Sequence, residues 1–326
     1  MSEPRKHHFV PQFYLKHFSP DRYSIWQIVK VKRSESQQSS YKTAIKDTAV
    51  IRDYHALDFD GATDANAVEK ELAKVEGQLA DTMKRALESG VDHLQTREML
   101  SFLVSLLLMR VPRYKEFIEQ SLRAIVRDTG LMMERKGDFS RVPKELQKLI
   151  SFENLQIDIH NWICVAYMLK LACDPEVLGL LNAMHLSLWR TEGTAELLTS
   201  DNPVSIFRPD AKREDHYGTG IADRRVQISV PIANDALILL MWNHDAPREG
   251  QLDDVLVHEY NRRTVVSADK VVFASTNNED ILRIVDEFRH CSTSRQIETV
   301  DCGSQFFHLM TQWPVMPSEE YPAPPK

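Results

Sequence analysis

Paired cysteines are missing from this chain. Cys164, Cys173, Cys291 and Cys302 are scattered with no Cys-x-x-Cys spacing, which excludes a zinc-ribbon pattern and argues against a disulfide framework. They read as reduced thiols of a cytoplasmic protein. Glycine is also sparse, 11 residues in 326. There is no glycine-rich phosphate loop, no Gly-x-Ser-x-Gly elbow, no His-Glu-x-x-His and no kinase signature. Long apolar runs are absent too: the longest, Met99 to Met109, is interrupted by Ser101 and Ser105 and falls well short of the ~20 residues of a membrane span. It reads as a buried helix, and no membrane partner is expected. The first eight residues are polar and charged with no apolar core behind them, so no secretory signal is expected. An excess of positive charge is lacking as well. With a net charge of −7, binding to nucleic acid or a nucleotide needs a local basic patch.

One such patch exists. Between Arg110 and Lys148 ten basic residues face six acidic ones, and the competing reading is a solvated helix face of mixed charge. The hydrophobic fraction of 43% is enough for a sizeable core. Alternation predicts strands at Tyr23 to Lys32 and Ala49 to Ala56, with a polar loop between. Spacings of three and four through Val68, Leu72, Val75, Leu79, Met83 and Leu87 predict a helix stopped at Gly90. Thr96 can cap the next helix, which Pro112 bends or ends. Further helices are predicted at Arg113 to Asp128 closing at Gly130, from Pro143 through Ile150, over Phe152 to Leu171, and at Glu176 to Ala183 after an Asp174-Pro175 turn.

Beyond Met184 the periodicity turns to alternation. Strands are predicted at Leu186 to Thr191, Leu197 to Thr199, Val204 to Phe207, Gln227 to Val230, Leu237 to Trp242 and Val271 to Ser275, with helices at Asp253 to Ala268 and Glu279 to His290. The fold class is α+β: a central helical bundle followed by a mostly antiparallel sheet with one covered face. The expected organisation is a single domain over 1–312, helical at about 64–184 and sheet-rich at about 185–290. A proline-rich tail, extended or disordered, follows over 313–326.

Chemistry concentrates in two motifs. His7-His8-Phe9-Val10-Pro11-Gln12-Phe13-Tyr14-Leu15 places two imidazoles just ahead of a helix that Pro11 can start, a position suited to a metal, a phosphate or a mobile proton. Neighbours in an extended segment point to opposite sides, so one histidine reaches a given ion. The alternative is a docked N-terminal helix with both histidines at its rim. Thr199-Ser200-Asp201-Asn202-Pro203 offers a carboxylate and an amide at a strand end, as an oxygen site or as an ordinary turn. Arg110 and Arg113 can bind phosphate bidentately or hold a carboxylate within the fold. Glu69 and Glu76, two turns apart on one helix face, are candidate acidic ligands or a base, or a solvated face. Asn261, Arg262 and Arg263 are similar candidates.

The double histidine with Pro11 and Tyr14-Leu15, the Arg-x-Pro at Arg110 and the downstream Ser200-Asp201-Asn202-Pro203 together resemble the bacterial family catalogued as domain of unknown function 4238, over about residues 6 to 290. The resemblance implies one family domain and no particular activity; it also implies that the two motifs meet in space. The leading expectation is a metal-dependent phosphodiester hydrolase. In it His8 (or His7) and Asp201 hold a divalent metal ion, the other histidine is a general base, and Arg110 or Arg113 holds phosphate. Ser200, Asn202, Tyr14 and Asn261 are the candidate ligand-binding residues. A His-His-x-x-Pro element is also similar to nucleases of the His-Asn-His type, but their ββα context and downstream spacing are missing. The contrasting expectation is a non-enzymatic module that binds a ligand or partner.

Overall fold

The computed structural model of the chain describes residues 6–32, 38–57, 66–138, 143, 152–153, 155–209, 220–301 and 306–315; for 294–298, 300–301 and 306–315 it describes backbone alone. The chain opens with β1 (Lys6–His8), the single turn α1 (Gln12–Leu15) running into a 3-10 turn (Lys16–Phe18), β2 (Ser24–Val29), β3 (Ser40–Ala44) and β4 (Val50–Arg52). Among the described residues five helices follow: α2 (Ala67–Ser89), α3 (Leu94–Met109), α4 (Pro112–Lys136), α5 (Asn161–Ala172) and α6 (Pro175–Ala183). The sheet-rich part contains β5 (His185–Thr191), β6 (Thr199–Ser200), β7 (Ser205–Phe207), β8 (Gln227–Ala233), β9 (Ala236–Met241) and β10 (Glu249–Leu252). Then come α7 (Asp254–Ser267), β11 (Val271–Ala274), α8 (Glu279–Phe288) and the hairpin β12 (Ser292–Asp301) with β13 (Phe306–Val315). This is the α+β class, with a helical part, α2 to α6, between four N-terminal strands and the sheet-rich part.

The strands form a five-stranded sheet in the order β10-β5-β9-β8-β7, a four-stranded sheet β3-β2-β11-β6, and two-stranded pairs β1-β4 and β12-β13. All pairings are antiparallel except β10 with β5. N-terminal strand β2 therefore pairs with late strand β11, which ties the two ends of the domain together. After a mostly exposed first turn, helix α3 is apolar on nearly every side and largely buried from Leu100 to Met109, as expected of a helix surrounded by others. It sits in the main core with Phe9, Val10, Leu15 and Phe18 of the N-terminal motif and with Ile238 and Leu240 of β9. On the other face of β9, Leu237 and Leu239 pack with Leu252 and Val257 in a second cluster. Both faces of this strand are covered, where alternation suggested one.

Helix boundaries correct the sequence reading at three points. Thr96 is not the cap of α3; His93 stands at that position, without a side-chain cap, and Thr96 is buried inside the helix. Gly130 does not stop α4, which continues to Lys136 and ends at Gly137, whose φ of 74° and paired hydrogen bonds (Gly137 N–H to Glu134 O, Asp138 N–H to Met133 O) close the helix. The predicted helix over Phe152 to Leu171 is real only from Asn161; the preceding segment carries polar side chains such as Asp158, which reaches Arg123 at 3.7 Å. Asp174 caps α6 as expected, accepting from Glu176 N and Val177 N. The predicted helix from Pro143 through Ile150 lies outside the described residues apart from Pro143 itself. The hairpin β12-β13 was not foreseen, and β13 reaches Val315, inside the stretch read as a tail.

Gly130 has a packing reason: a Cβ there would stand 2.1 Å from Phe152 Cδ1, so the ring lies directly on the helix backbone. By contrast nothing lies within 4 Å of a Cβ built at Gly77 in α2. Gly77→Ala is expected to stabilise the protein by ~0.5–1 kcal/mol through helix propensity. Gly130→Ala is expected to destabilise it by about 1–3 kcal/mol through overpacking. Urea denaturation of both variants checks the pair, and equal gains would refute the close approach of Phe152.

Candidate metal centre

β1 pairs with β4 in the register Lys6↔Arg52, His7↔Ile51, His8↔Val50. Both ends of β4 turn through left-handed residues, Ala49 at φ 52° and Asp53 at φ 53°, a conformation that costs a residue with a Cβ about 1–2 kcal/mol. The second of these turns, closed by Ala56 N–H to Asp53 O at 3.1 Å, folds the chain back so that the N–H of His55 donates to His7 Nδ1 at 2.9 Å. The two imidazoles then lie stacked, ring centroids 5.7 Å apart and planes within 10°. Tyr54 meets His55 edge-on at 4.7 Å, and Phe9 meets Tyr54 in the same manner at 6.2 Å. From the first turn of α2, Glu69 places Oε1 2.5 Å from His55 Nδ1 and 3.8 Å from His7 Nδ1.

Hydrogen bonding assigns the tautomers. His7 Nδ1 accepts, so neutral His7 carries its proton on Nε2; His55 Nδ1 donates to the Glu69 carboxylate, so its Nε2 holds a lone pair. Neither Nε2 has a partner, and both are buried. Burial pushes the His55 imidazole down to about 4, outweighing the opposing pull of Glu69. Burial raises the Glu69 carboxyl, but its bond with His55 and the nearby Arg110 guanidinium outweigh that and hold it below the usual range. His7 and His55 are 2% and 1% exposed, whereas the Glu69 side chain is 31% exposed and forms the solvent side of the group. One ligand atom from each of the three lies within 4.8 Å of the others. His55 and the Glu69 carboxylate are donors for a divalent transition ion, and His7, whose Nδ1 lone pair accepts from the His55 N–H, would join them by exchanging that hydrogen bond for the ion.

The structure separates the residues that the sequence reading joined. His8, on the opposite side of β1, is shifted below its ordinary value by burial, with its ring against the backbone of Ile45 and Lys46. Asp201 is not beside it: its carboxylate accepts from the N–H groups of Asp269, Lys270 and Val271 at 2.7–3.2 Å. Burial pushes that carboxyl up to about 6, against those three donors. Ser200 Oγ bonds both the N–H and the carbonyl of Asn202, and Asn202 Nδ2 donates to Ser267 O. Asn261 accepts from Leu198 N and donates to Glu196 O. Tyr14, wholly buried, shares a hydrogen bond with Thr199 and donates to Pro231 O, and burial holds its hydroxyl well above the usual phenol range. The pairing of His8 with Asp201 as ligands is thus corrected: Asp201, Ser200, Asn202, Asn261 and Tyr14 are fastenings of the fold.

Arg110 is buried and pairs with Glu76 at 2.6 Å, which is the carboxylate-holding reading of that residue. Arg113, at the start of α4, keeps one buried guanidinium nitrogen, Nη1, without a partner. Elsewhere in the basic segment Arg123 pairs with Glu119 and Lys115 with Asn161, and residues 139–142 and 144–148 lie outside the described ones. The residue that sequence reasoning missed is His55. Its signal was present, a histidine at the end of the short strand at Ala49 to Ala56, but its value depends on the β1-β4 pairing, which periodicity does not reveal.

In metal-free protein the unfolded imidazole of His55 takes up a proton near pH 6.5 and the folded one near 4. The unfolded state therefore binds more protons between these values, and stability falls as pH drops through the window. The contribution is fully present above pH 6.5 and is lost by pH 4, on the order of 3 kcal/mol. His55→Gln is expected to flatten the dependence. Urea midpoints of both proteins from pH 7.5 to 4 measure it, and parallel curves would count against a buried neutral His55.

No curated protein and no solved structure matches the chain. Among the described residues, no helix is long and apolar enough to cross a membrane. The family described as Protein of unknown function (DUF4238) matches residues 6–278, from the histidine pair to the cap of α8. That span takes in β1, β4, the first turn of α2, Arg110 and the Ser200-Asp201-Asn202-Pro203 turn, and the chain belongs to the DUF4238 family.

Proposed function

We propose that this chain is a metal-dependent phosphodiester hydrolase whose divalent ion is held by His7, His55 and Glu69. The observation that carries the reading is the set of buried, unpartnered nitrogens around the stacked pair: Nε2 of His7 and His55, and Nε of Arg110. Buried polar groups in native folds are nearly always satisfied, so such a cluster points to an ion, a water or a ligand. Three protein ligands match catalytic rather than structural zinc sites, which close with four. Two histidines and one carboxylate also suit manganese or iron. A divalent ion bound there supplies a Lewis acid for a phosphoryl oxygen.

The chain's own groups divide the remaining work. Glu69 lies on the solvent side, where substrate enters. His55 Nε2 is a neutral acceptor able to take a proton or a ligand bond. A nucleotide or nucleic acid is the substrate class that fits the basic segment. A second reading, a non-enzymatic ligand- or partner-binding module, draws on the bond from the His55 N–H to His7 Nδ1, which holds the pair together without any ion.

Plasma mass spectrometry on tag-free protein tests the proposal. Wild type incubated with zinc, manganese or magnesium is expected to retain a single divalent ion per chain. His55→Ala and Glu69→Gln should lose it, while Asp201→Ala should keep it as long as the variant folds. Turnover of bis(p-nitrophenyl) phosphate and of single-stranded DNA by the loaded protein then checks the reaction class. Protein that takes up no metal overturns the hydrolase; a loaded protein that cleaves neither substrate favours the binding module.

A further inference from the structure

The structure assigns to Arg110 a positioning role: its single guanidinium sets the angle at which β1 and α2 bring His7 and Glu69 together. This rests on the metal-centre reading above and goes beyond it, since the sequence pattern suggested Arg110 as a phosphate ligand. The side chain is buried, 2% exposed, and has no open path to a substrate. Nη1 donates to Glu76 Oε1 at 2.6 Å and Nη2 to the His8 carbonyl at 2.5 Å. The first acceptor lies on α2 two turns beyond Glu69. The second lies on β1 one residue beyond His7. One rigid, planar group therefore grips each ligand-bearing element close to its ligand. The backbone of Arg110 is held in turn, because Tyr54 Oη donates to its carbonyl at 3.1 Å, and Tyr54 directly precedes His55.

The chemistry requires arginine. A guanidinium presents donors in a fixed fork and can meet a carboxylate and a carbonyl at once, whereas an ammonium is a point charge on a flexible stem. Removing the fork leaves β1 attached to α2 through the ligand cluster itself and through packing, so the ligand atoms lose their common geometry while the core stays intact.

Cobalt(II) titration followed by its visible absorption band, on wild type, Arg110→Gln, Arg110→Lys and Glu76→Gln, tests the inference. Supporting groups of this kind typically contribute ~10–100-fold in metal affinity, and that loss is expected for both Arg110 variants, with a smaller one for Glu76→Gln, which keeps an acceptor. Cooperative thermal melts establish which variants fold. In parallel, histidine ring nitrogen shifts of the metal-free proteins report the His7 tautomer. Wild type is expected to show Nδ1 as acceptor with the proton on Nε2, and folded Arg110→Gln an averaged, solvent-like imidazole. Unchanged cobalt affinity together with an unchanged His7 signature in Arg110→Gln overturns the role, as does full retention of both in Arg110→Lys. Wild type that binds no cobalt defeats the metal reading alone, because the His7 signature still decides whether Arg110 positions the pair.

Discussion

A polar side chain sealed from water must find its partners inside the fold, and in this protein that constraint fastens distant parts of the chain. Tyr14 reaches Thr199, 185 residues away, and also the Pro231 carbonyl. Asp201 collects three backbone donors from the turn entering β11, Asn202 bonds the end of α7, and Asn261 bridges two backbone groups ahead of β6. Breaking any one strands a buried group at a cost of ~1–3 kcal/mol or more. The N-terminal motif and the Ser-Asp-Asn-Pro turn therefore share one domain, but the downstream motif serves as a clasp, while the unpartnered ring nitrogens of His7 and His55 lie beside β1.

Much of the fold was legible because periodicity reports burial directly. The stripe through α2, the apolar run of α3 and the Asp174-Pro175 start of α6 each carry their own local signal. The failures were non-local. Gly130 looked like a stop because a glycine in a helix is unfavourable by itself, and only the ring of Phe152 explains it. Thr96 looked like a cap because threonine favours caps, yet the helix had already begun. β10 carries Gly250 with the Trp189 ring against it, so its strand character comes from its partner and not from its own residues.

The site was half legible. His7 stood out through its motif and Glu69 through its helix face, but their partner His55 lies beyond a three-residue strand whose register no pattern announces. Asp201 misled for the opposite reason: its carboxylate, flanked by serine and asparagine, has the composition of an ion site, and only the three N–H groups aimed at it show that its capacity is spent. Composition tells which groups can bind; what already occupies them is a property of the fold.

The left-handed residues at both ends of β4 bear on the order in which the molecule assembles. A strand of three residues flanked by Ala49 and Asp53 in that conformation has no local preference for its native shape. What stabilises it is supplied by β1, more than forty residues earlier, and by Glu69 on an already formed α2. Such a segment keeps its native shape only while β1 and α2 are in place to receive it. The loop that carries His55 therefore borrows its form from its neighbours, and an event that lifts β1 away undoes the loop with it.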